Sequence, residues 1–260
     1  MWETYLSVIE GMSEVDKVLN ECETIGRDLS AIMQIWAGKA PGQATVVPIL
    51  AADVGVNLTA IPDENMVNAA ELSHDPAVRE AFRGYMRQQP AGVPSTIVLK
   101  DYQMVGLNWL ALLYRRKTSC ILADEMGSSC FSFLSNSIVL TDIVYAGLGK
   151  TAQVIALLSH LKSIGEKGPH LIIVPSSTLE NWMREFSIFA PDLRAESYYG
   201  SQADRSIQRS ELAAHNNSGA LDVVVTTYNI ATSSADDQKF LRKKMNFQVS
   251  FVAFSEISRC

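Results

Sequence analysis

The sequence has few of the residues that build metal sites, disulfide frameworks or membrane spans. Its four cysteines and four histidines are scattered over 260 residues and show no zinc-ligand spacing. This cysteine usage favours a reduced, intracellular setting. No apolar run approaches the roughly 20 residues that a membrane-spanning helix needs, and the first residues lack the pattern of a signal peptide. Zinc proteins, disulfide-rich secreted proteins and membrane proteins are therefore disfavoured.

The sequence also lacks an excess of Lys and Arg over Asp and Glu, which alone would have indicated a nucleic-acid partner. The formal net charge is −6, and the acidic excess is concentrated in residues 1–95, which hold 6 Lys/Arg against 13 Asp/Glu. Residues 96–260 hold 16 Lys/Arg against 15 Asp/Glu. The charge of this second part is compatible with nucleic-acid binding but gives no evidence for it.

The periodicity of apolar residues predicts a mostly helical or irregular N-terminal region over 1–95. Apolar residues recur at helical spacing over 2–36, with a second periodic stretch from 25 to 36, which predicts either a packed helical pair or helices that bind a partner. Residues 37–65 predict an irregular linker, and 66–86 predict further helix with a start at Asp75-Pro76. A turn-rich stretch at 88–95 separates this region from the next.

From residue 96 onward, helical patterns alternate with short apolar strands. Strands are predicted at 120–123, 170–174, 196–199, 222–227 and 247–254. Helices are predicted at 102–114, 151–164, 177–189, 204–215 and 236–245, the third with a capping box from Ser177 to Glu180. This alternation predicts an α/β fold, with a parallel sheet and helices on both faces. Ligands bind such sheets at the carboxyl ends of the strands.

The stretch from Ile121 to Thr151 contains the residues with the clearest ligand-binding pattern. It begins as ILADEMG (121–127) and ends as GLGKT (147–151). Glycines let backbone N–H groups face a phosphate, Lys150 supplies a cation and Thr151 offers a hydroxyl to Mg²⁺. The helix that follows adds partial positive charge. The pattern is typical of a loop that binds a nucleoside triphosphate.

Five ordered stretches of residues 96–249 resemble the N-terminal ATPase lobe of the Swi/Snf-type chromatin remodellers, which are DNA translocases of helicase superfamily two. The stretches are LKDYQMVGLNWL (99–110), ILADEMG with LGKT, LIIVPSSTLENWMREF (171–186), YYGSQADR (198–205) and DVVVTTYNIA (222–231). The residues of the motifs PSSTLENW and YYGSQADR are most similar to those of the Fun-thirty/Etl-one branch. The resemblance implies a RecA-like lobe over 96–260, ATP and Mg²⁺ as cofactors, double-stranded DNA or the nucleosome as partner, and the nucleus as location.

The resemblance also implies individual roles. Gln103 would read the adenine, Lys150 would hold the β- and γ-phosphates, and Thr151 would hold Mg²⁺. The remaining nucleotide-binding positions would be Asp124, Glu125, Gly127, Gly147, Leu148 and Gly149. The DNA backbone would be contacted by Pro175, Ser176, Ser177 and Asn181 in one motif and by Thr226 and Thr227 in another. Capping by Ser177 and a plain strand-end turn at Thr226–Thr227 are the structural alternatives.

Two departures from the family pattern bear on activity. Residues 128–147 separate two halves of a motif that is continuous in the family, and SFVAFSEISRC follows MNFQV (245–249) where the family has an Asp-Glu-Gly-His box. The residues at the ends of 128–147 and at the start of the last segment can be encoded by codons that contain splice-site sequences. We therefore hypothesise that both segments are translated introns. The alternative is a real insertion. It would either loop out, which we favour, or supply a strand from 137–146 that competes with 120–123.

The expected function is the ATP-binding lobe of a DNA translocase, with no residue assigned as catalytic. This chain alone is expected to be catalytically impaired, because its phosphate loop is interrupted and because the acidic box and second lobe are missing. The alternative is a non-catalytic fragment that binds DNA or a partner, with the partners of residues 1–95 unassigned. An unrelated P-loop kinase or GTPase is a weaker possibility.

Overall fold

A computed structural model describes residues 14–36, 64–118, 121–122, 139–143 and 149–254. Its contacts divide the chain into one unit over Met1–Tyr85 and a second over Met86–Cys260.

The described part of the first unit is helical, with α1 (Glu14–Trp36), α2 (Glu64–Glu71) and α3 (Pro76–Phe82). Residues 14–36 form one continuous helix, so the alternative of a helical pair is wrong for them, while partner binding stays a prediction. The helix continues through Gly26 because a single glycine inside a strong periodic pattern costs only about 1 kcal/mol. The predicted start at Asp75-Pro76 is confirmed, since Asp75 Oδ1 accepts a hydrogen bond from the Ala77 N–H at 2.8 Å. The Trp36 Nε1–H donates to the Ala81 carbonyl at 2.8 Å, which ties α1 to α3.

The second unit alternates helices and strands as the sequence predicts. Its helices are α4 (Asp101–Arg116), α5 (Lys150–Ser163), α6 (Leu179–Phe189), α7 (Gln202–Asn217), α8 (Tyr228–Ser233) and α9 (Ala235–Lys239), followed by a π-helix (Phe240–Lys244). Its strands are β1 (Ile121–Leu122), β2 (Val139–Ile143), β3 (His170–Val174), β4 (Ala195–Tyr198), β5 (Val223–Thr227) and β6 (Ser250–Phe254).

The described strands form one sheet in the order β1-β2-β6-β3-β5-β4, and every neighbouring pair is parallel. The predicted fold class, an α/β parallel sheet with helices, is therefore confirmed. Strands β3 and β5 are almost entirely buried, as expected of near-continuous apolar runs in the middle of a parallel sheet. Helix α5 is buried along most of its length and packs against α4 and α6.

The segment between the two halves of the phosphate-loop motif contributes a strand. Residues Val139–Ile143 pair in parallel with Ile121–Leu122 on one side and with Ser250–Phe254 on the other. The expectation that this segment loops out is therefore wrong for these residues. Three of the five are Val, Leu or Ile, which favour strands. Strand β2 does not displace β1 but lies beside it, between β1 and β6.

Two further local predictions are corrected. The predicted capping box from Ser177 is wrong, because α6 begins at Leu179 and a turn precedes it, in which the Thr178 N–H donates to the Pro175 carbonyl at 3.0 Å. The helix predicted over 236–245 is present, but it is α-helical only in α9 and continues as the π-helix over Phe240–Lys244. The preceding α8 was not predicted, and Ser234, in an extended conformation, separates it from α9.

Candidate nucleotide and nucleic-acid site

Three described segments that hold or adjoin predicted site residues lie at one edge of the sheet. Because β2, β3 and β5 are parallel, their carboxyl ends meet at the same edge. Pro175 follows β3 directly, Tyr228 follows β5 directly, and Gly149 stands a few residues after β2. This is the edge at which ligands bind α/β sheets.

The second half of the phosphate-loop motif begins a buried helix. Gly149 has φ 73°, a left-handed conformation that suits glycine, and directly precedes α5. Lys150 is the first residue of this 14-residue helix and is 7% exposed, while Thr151 is half-buried. The first N–H groups of a helix point toward its N-terminus, so the described part of the motif fits a phosphate. Asp124, Glu125, Gly127, Gly147 and Leu148 lie outside the described residues.

Gln103, the predicted adenine reader, lies against this helix start. Its Oε1 accepts a hydrogen bond from the Lys100 N–H at 2.8 Å, which fixes the side chain at the first turn of α4. A Cβ built on Gly149 would lie 2.1 Å from Gln103 Nε2. The fold therefore brings together two predicted nucleotide-binding positions that are far apart in sequence.

The described residues could hold Mg²⁺ only together with a bound phosphate, which would supply most of the metal's ligands. Thr151 offers one hydroxyl at the start of α5, and no cluster of three or more His, Cys, Asp or Glu suited to a metal occurs among the described residues. Mg²⁺ is usually held by one or two protein groups together with phosphate oxygens and water. Thr151 would be the protein group in this part of the site.

The first predicted DNA motif forms an exposed turn. The Pro175 carbonyl accepts hydrogen bonds from the N–H and the Oγ1 of Thr178, both at 3.0 Å, and this leaves Ser176 and Ser177 exposed at the turn. Asn181 lies on α6, where its Nδ2 donates to Glu185 Oε1 at 3.1 Å and its Oδ1 accepts from Arg184. The turn can present hydroxyls to a phosphate, whereas the Asn181 carboxamide is occupied within its own helix.

The second predicted DNA motif is buried. Thr226 is 0% exposed, and its Oγ1 donates to the Tyr198 carbonyl at 2.8 Å, which joins the ends of β5 and β4. Thr227 is 2% exposed and precedes α8. In this arrangement both threonines fix the strand end from which Tyr228 and the following residues emerge.

A buried ionic cluster behind this strand end was not predicted. Asp237 is fully buried and accepts hydrogen bonds from Tyr198, from Arg205 at 2.9 Å and from Arg209 at 2.8 Å. Burial alone would raise the pKa of Asp237, but hydrogen bonds from Arg205 and Tyr198 and the two arginine charges lower it. The sequence signal was the spacing of the two arginines, which places them on one face of α7.

Comparisons with known proteins agree with the predicted family. Residues 135–253 match the family described as "SNF2-related domain". The ATP-dependent helicase fft2 of Schizosaccharomyces pombe is 38% identical over 245 residues, which are 94% of this chain and 16% of that protein. The ATP-dependent helicase FUN30 of Saccharomyces cerevisiae is 47% identical over 171 residues, which are 66% of this chain and 13% of that protein. The SWI2/SNF2 ATPase core of Sulfolobus solfataricus, solved with double-stranded DNA, is 25% identical with a TM-score of 0.42, covering 65% of this chain and 34% of that chain.

The parallel sheet and the helix start at its carboxyl edge define an α/β protein with a candidate phosphate site. Residues 135–253 are similar to the SNF2-related domain, and the predicted resemblance to Swi/Snf-type ATPases of the Fun-thirty branch is confirmed. It spans 16% and 13% of the length of the two named relatives. Among the described residues, no helix is both long and apolar enough to cross a membrane.

Proposed function

We propose that this chain is the ATP-binding lobe of an ATP-dependent DNA translocase that remodels chromatin in the nucleus. The observation that carries the proposal is the contact between Gln103 and Gly149 at the start of α5. That contact places a carboxamide beside a helix N-terminus that begins with Lys150 and Thr151. The relatives named as ATP-dependent helicases support the same assignment.

Each residue near this helix start has a role that follows from its chemistry. The α5 N–H groups and Lys150 would bind the β- and γ-phosphates, and Thr151 would hold Mg²⁺. Gln103 would face the adenine, because its carboxamide offers a donor and an acceptor to the N6/N7 edge. The bound metal would neutralise charge on the phosphates. Asp124, Glu125, Gly127, Gly147 and Leu148 would complete the loop.

The turn after β3 and the end of β5 would bind the backbone of double-stranded DNA. Ser176 and Ser177 are exposed and can donate hydrogen bonds to phosphate oxygens without reading sequence. Thr226 and Thr227 would act by holding the end of β5, since both are buried. Pro175 and Asn181 would fix the shape of the turn and of the first turn of α6.

We further propose that these 260 residues turn over ATP slowly. Strand β6 has the sequence SFVAF where the family carries the Asp of its acidic box, and 128–147 interrupt the phosphate loop. The metal-holding and water-orienting groups each contribute orders of magnitude to such rates. Binding of ATP and DNA is therefore the property to measure.

A non-catalytic DNA-binding fragment is the second candidate. The exposed turn at Ser176–Ser177 favours it, because this turn is hydrogen-bonded within Pro175–Thr178 and does not depend on the phosphate loop. Such a fragment would bind DNA in the complete absence of ATP binding.

A filter-binding assay with labelled ATP and labelled duplex DNA separates the two candidates. The first candidate predicts that the chain retains both ligands, and the second predicts that it retains DNA alone. Replacing Ser176 and Ser177 together by alanine should weaken DNA binding about 5-fold, the loss of one or two modest hydrogen bonds, and leave ATP binding unchanged. Ser187→Ala, an exposed serine at the other end of α6, is the control. If the double variant binds DNA as tightly as Ser187→Ala, the assigned DNA contact is wrong.

A further inference from the structure

Helices α4 and α5 approach each other through two glutamine–glycine contacts. One glutamine reaches from α4 to the start of α5, and the other reaches from α5 to α4. In the first, Gln103 of α4 contacts Gly149 at the start of α5, where an added Cβ would lie 2.1 Å from Nε2. In the second, Gln153 of α5 contacts Gly106 of α4, where an added Cβ would lie 2.1 Å from Oε1. Each glycine leaves room for a carboxamide that would clash with the Cβ of any larger residue.

The two contacts are about one helical turn apart on both helices. Gly106 follows Gln103 by three residues and Gln153 follows Gly149 by four, spacings that place both members of each pair on one helix face. The Gln153 N–H also donates to the Gly149 carbonyl at 3.1 Å. A displacement of α4 at Gly106 would therefore carry Gln103 away from the start of α5.

Gln153 is well placed to determine this separation. It is only 6% exposed, so its carboxamide has little room to move aside. Further along α4, Asn108 holds the helix on another side, since its Oδ1 accepts from the Met86 N–H and its Nδ2 donates to the Met86 carbonyl at 2.9 Å. Buried leucines supply the packing energy between helices, whereas the glutamine–glycine contacts limit how closely the backbones approach.

We propose that Gln153 is a positioning residue that makes this site selective for adenine. Through its contact with Gly106 it sets the distance of α4 from α5, and so the place of the Gln103 carboxamide relative to the phosphates held at Lys150. Gln153 does not touch the nucleotide itself. The inference rests on the proposed function, because it assumes that Gln103 faces the base.

Nucleotide selectivity measures this role separately from stability. In Gly106→Ala the new methyl group meets the Gln153 carboxamide and shifts α4, so the ratio of ATP to GTP affinity should fall about tenfold, equivalent to about 1.4 kcal/mol. Affinity for inorganic tripolyphosphate, which has no base, should stay unchanged. In the double variant Gly106→Ala, Gln153→Ala the shortened side chain makes room for the methyl group. The double variant should therefore recover selectivity to within about threefold of the wild type.

Gly92→Ala is the matched control. A Cβ at Gly92 would lie 2.3 Å from Ser159 Oγ, a comparable contact on the same helix α5. Ser159 is six residues beyond Gln153, about 9 Å further from the nucleotide. This variant should lose stability to a similar extent and keep its selectivity for ATP.

The outcomes distinguish this inference from the proposed function. Equal loss of ATP, GTP and tripolyphosphate affinity in Gly106→Ala would mean that Gln153 is merely structural and would overturn the inference. Unchanged selectivity in Gly106→Ala, or no recovery in the double variant, would overturn it as well. In each of these cases tight ATP binding by the wild type would leave the proposed function intact. A wild-type chain that binds neither ATP nor tripolyphosphate would overturn both.

Discussion

At the scale of single residues, His170 links the stability of the sheet to pH. It is the first residue of β3 and is 2% exposed, and its Nδ1 has no hydrogen-bond partner among the described residues. Burial lowers its pKa to about 4, and the charge of Asp222 opposes this shift only partly. The imidazole is therefore neutral in the folded protein at pH 7.

The lowered pKa of His170 predicts a loss of stability in mild acid. Below the unfolded-state pKa of about 6.5 the unfolded chain binds a proton that the folded chain does not, so the contribution is complete above pH 6.5 and falls toward pH 4. Between pH 7.5 and pH 5 the free energy of unfolding should fall by about 2 kcal/mol from this residue. Urea unfolding of the wild type and of His170→Gln at both pH values measures the difference. Parallel pH dependences in the two proteins would refute the assignment.

The surroundings of Asp237 also allow a quantitative prediction of the free energy of unfolding. Its carboxylate is fully buried and pairs with the partly buried Arg205 and Arg209, so Asp237→Asn would leave two guanidinium groups without their counter-charge. The free energy of unfolding should fall by about 2 kcal/mol, because water can partly solvate the two arginines. The neighbouring Asp236 is exposed, and Asp236→Asn should cost less than about 1 kcal/mol. Similar losses in the two variants, measured by chemical denaturation, would show that the buried cluster does not stabilise the fold.

At the scale of elements, the sequence predicts strands and long helices well but not their contacts. The strand predicted at 170–174 has the same bounds in the structure, because an apolar run ends at Pro175 and is buried on both faces. Helix α8 and the π form of residues 240–244 were missed, since such short elements depend on tertiary packing more than on periodicity. The family resemblance assigned both Gln103 and Gly149 to the nucleotide, but their contact was not predicted. No local pattern links residues this far apart.

The start of α5 can be tested with a pair of left-handed glycines. Gly149 has φ 73° and contacts Gln103, whereas Gly165 has φ 86° and a Cβ added there would meet no atom within 4 Å. Substitution by alanine should cost about 1–2 kcal/mol of stability at either position through backbone strain alone. Only Gly149→Ala should also weaken ATP binding, by at least about tenfold. ATP titrations of both variants provide the comparison, and equal ATP affinities would contradict the assigned site.

At the scale of the whole molecule, the two segments that depart from the family pattern are neighbours in the sheet. Strand β2, from within 128–147, pairs with β6 along all five of its residues. Both segments are rich in apolar residues, so they can complete a parallel sheet whatever their origin.

Deletion of residues 128–147 tests the intron hypothesis. The deletion joins Gly127 to Leu148 and restores a continuous MGLGKT motif, with β1 leading directly into the loop. If the segment is foreign to the functional protein, the shortened chain should be at least as stable and bind ATP at least about tenfold more tightly. A shortened chain that unfolds or loses ATP binding would show that β2 is needed. Sequencing of the transcript gives an independent answer, because the hypothesis requires spliced reads that join codon 127 to Leu148.

The central claim is that a nucleoside triphosphate binds where α5 begins, with its phosphates on Lys150. The direct measurement is an ATP titration of the whole chain beside two lysine variants. Lys150→Ala removes the buried lysine at the helix start, and Lys167→Ala removes an exposed lysine in the loop after α5. We predict that Lys150→Ala weakens ATP binding by more than about tenfold and that Lys167→Ala leaves it unchanged. Equal ATP affinity in the wild type and in Lys150→Ala would contradict the account.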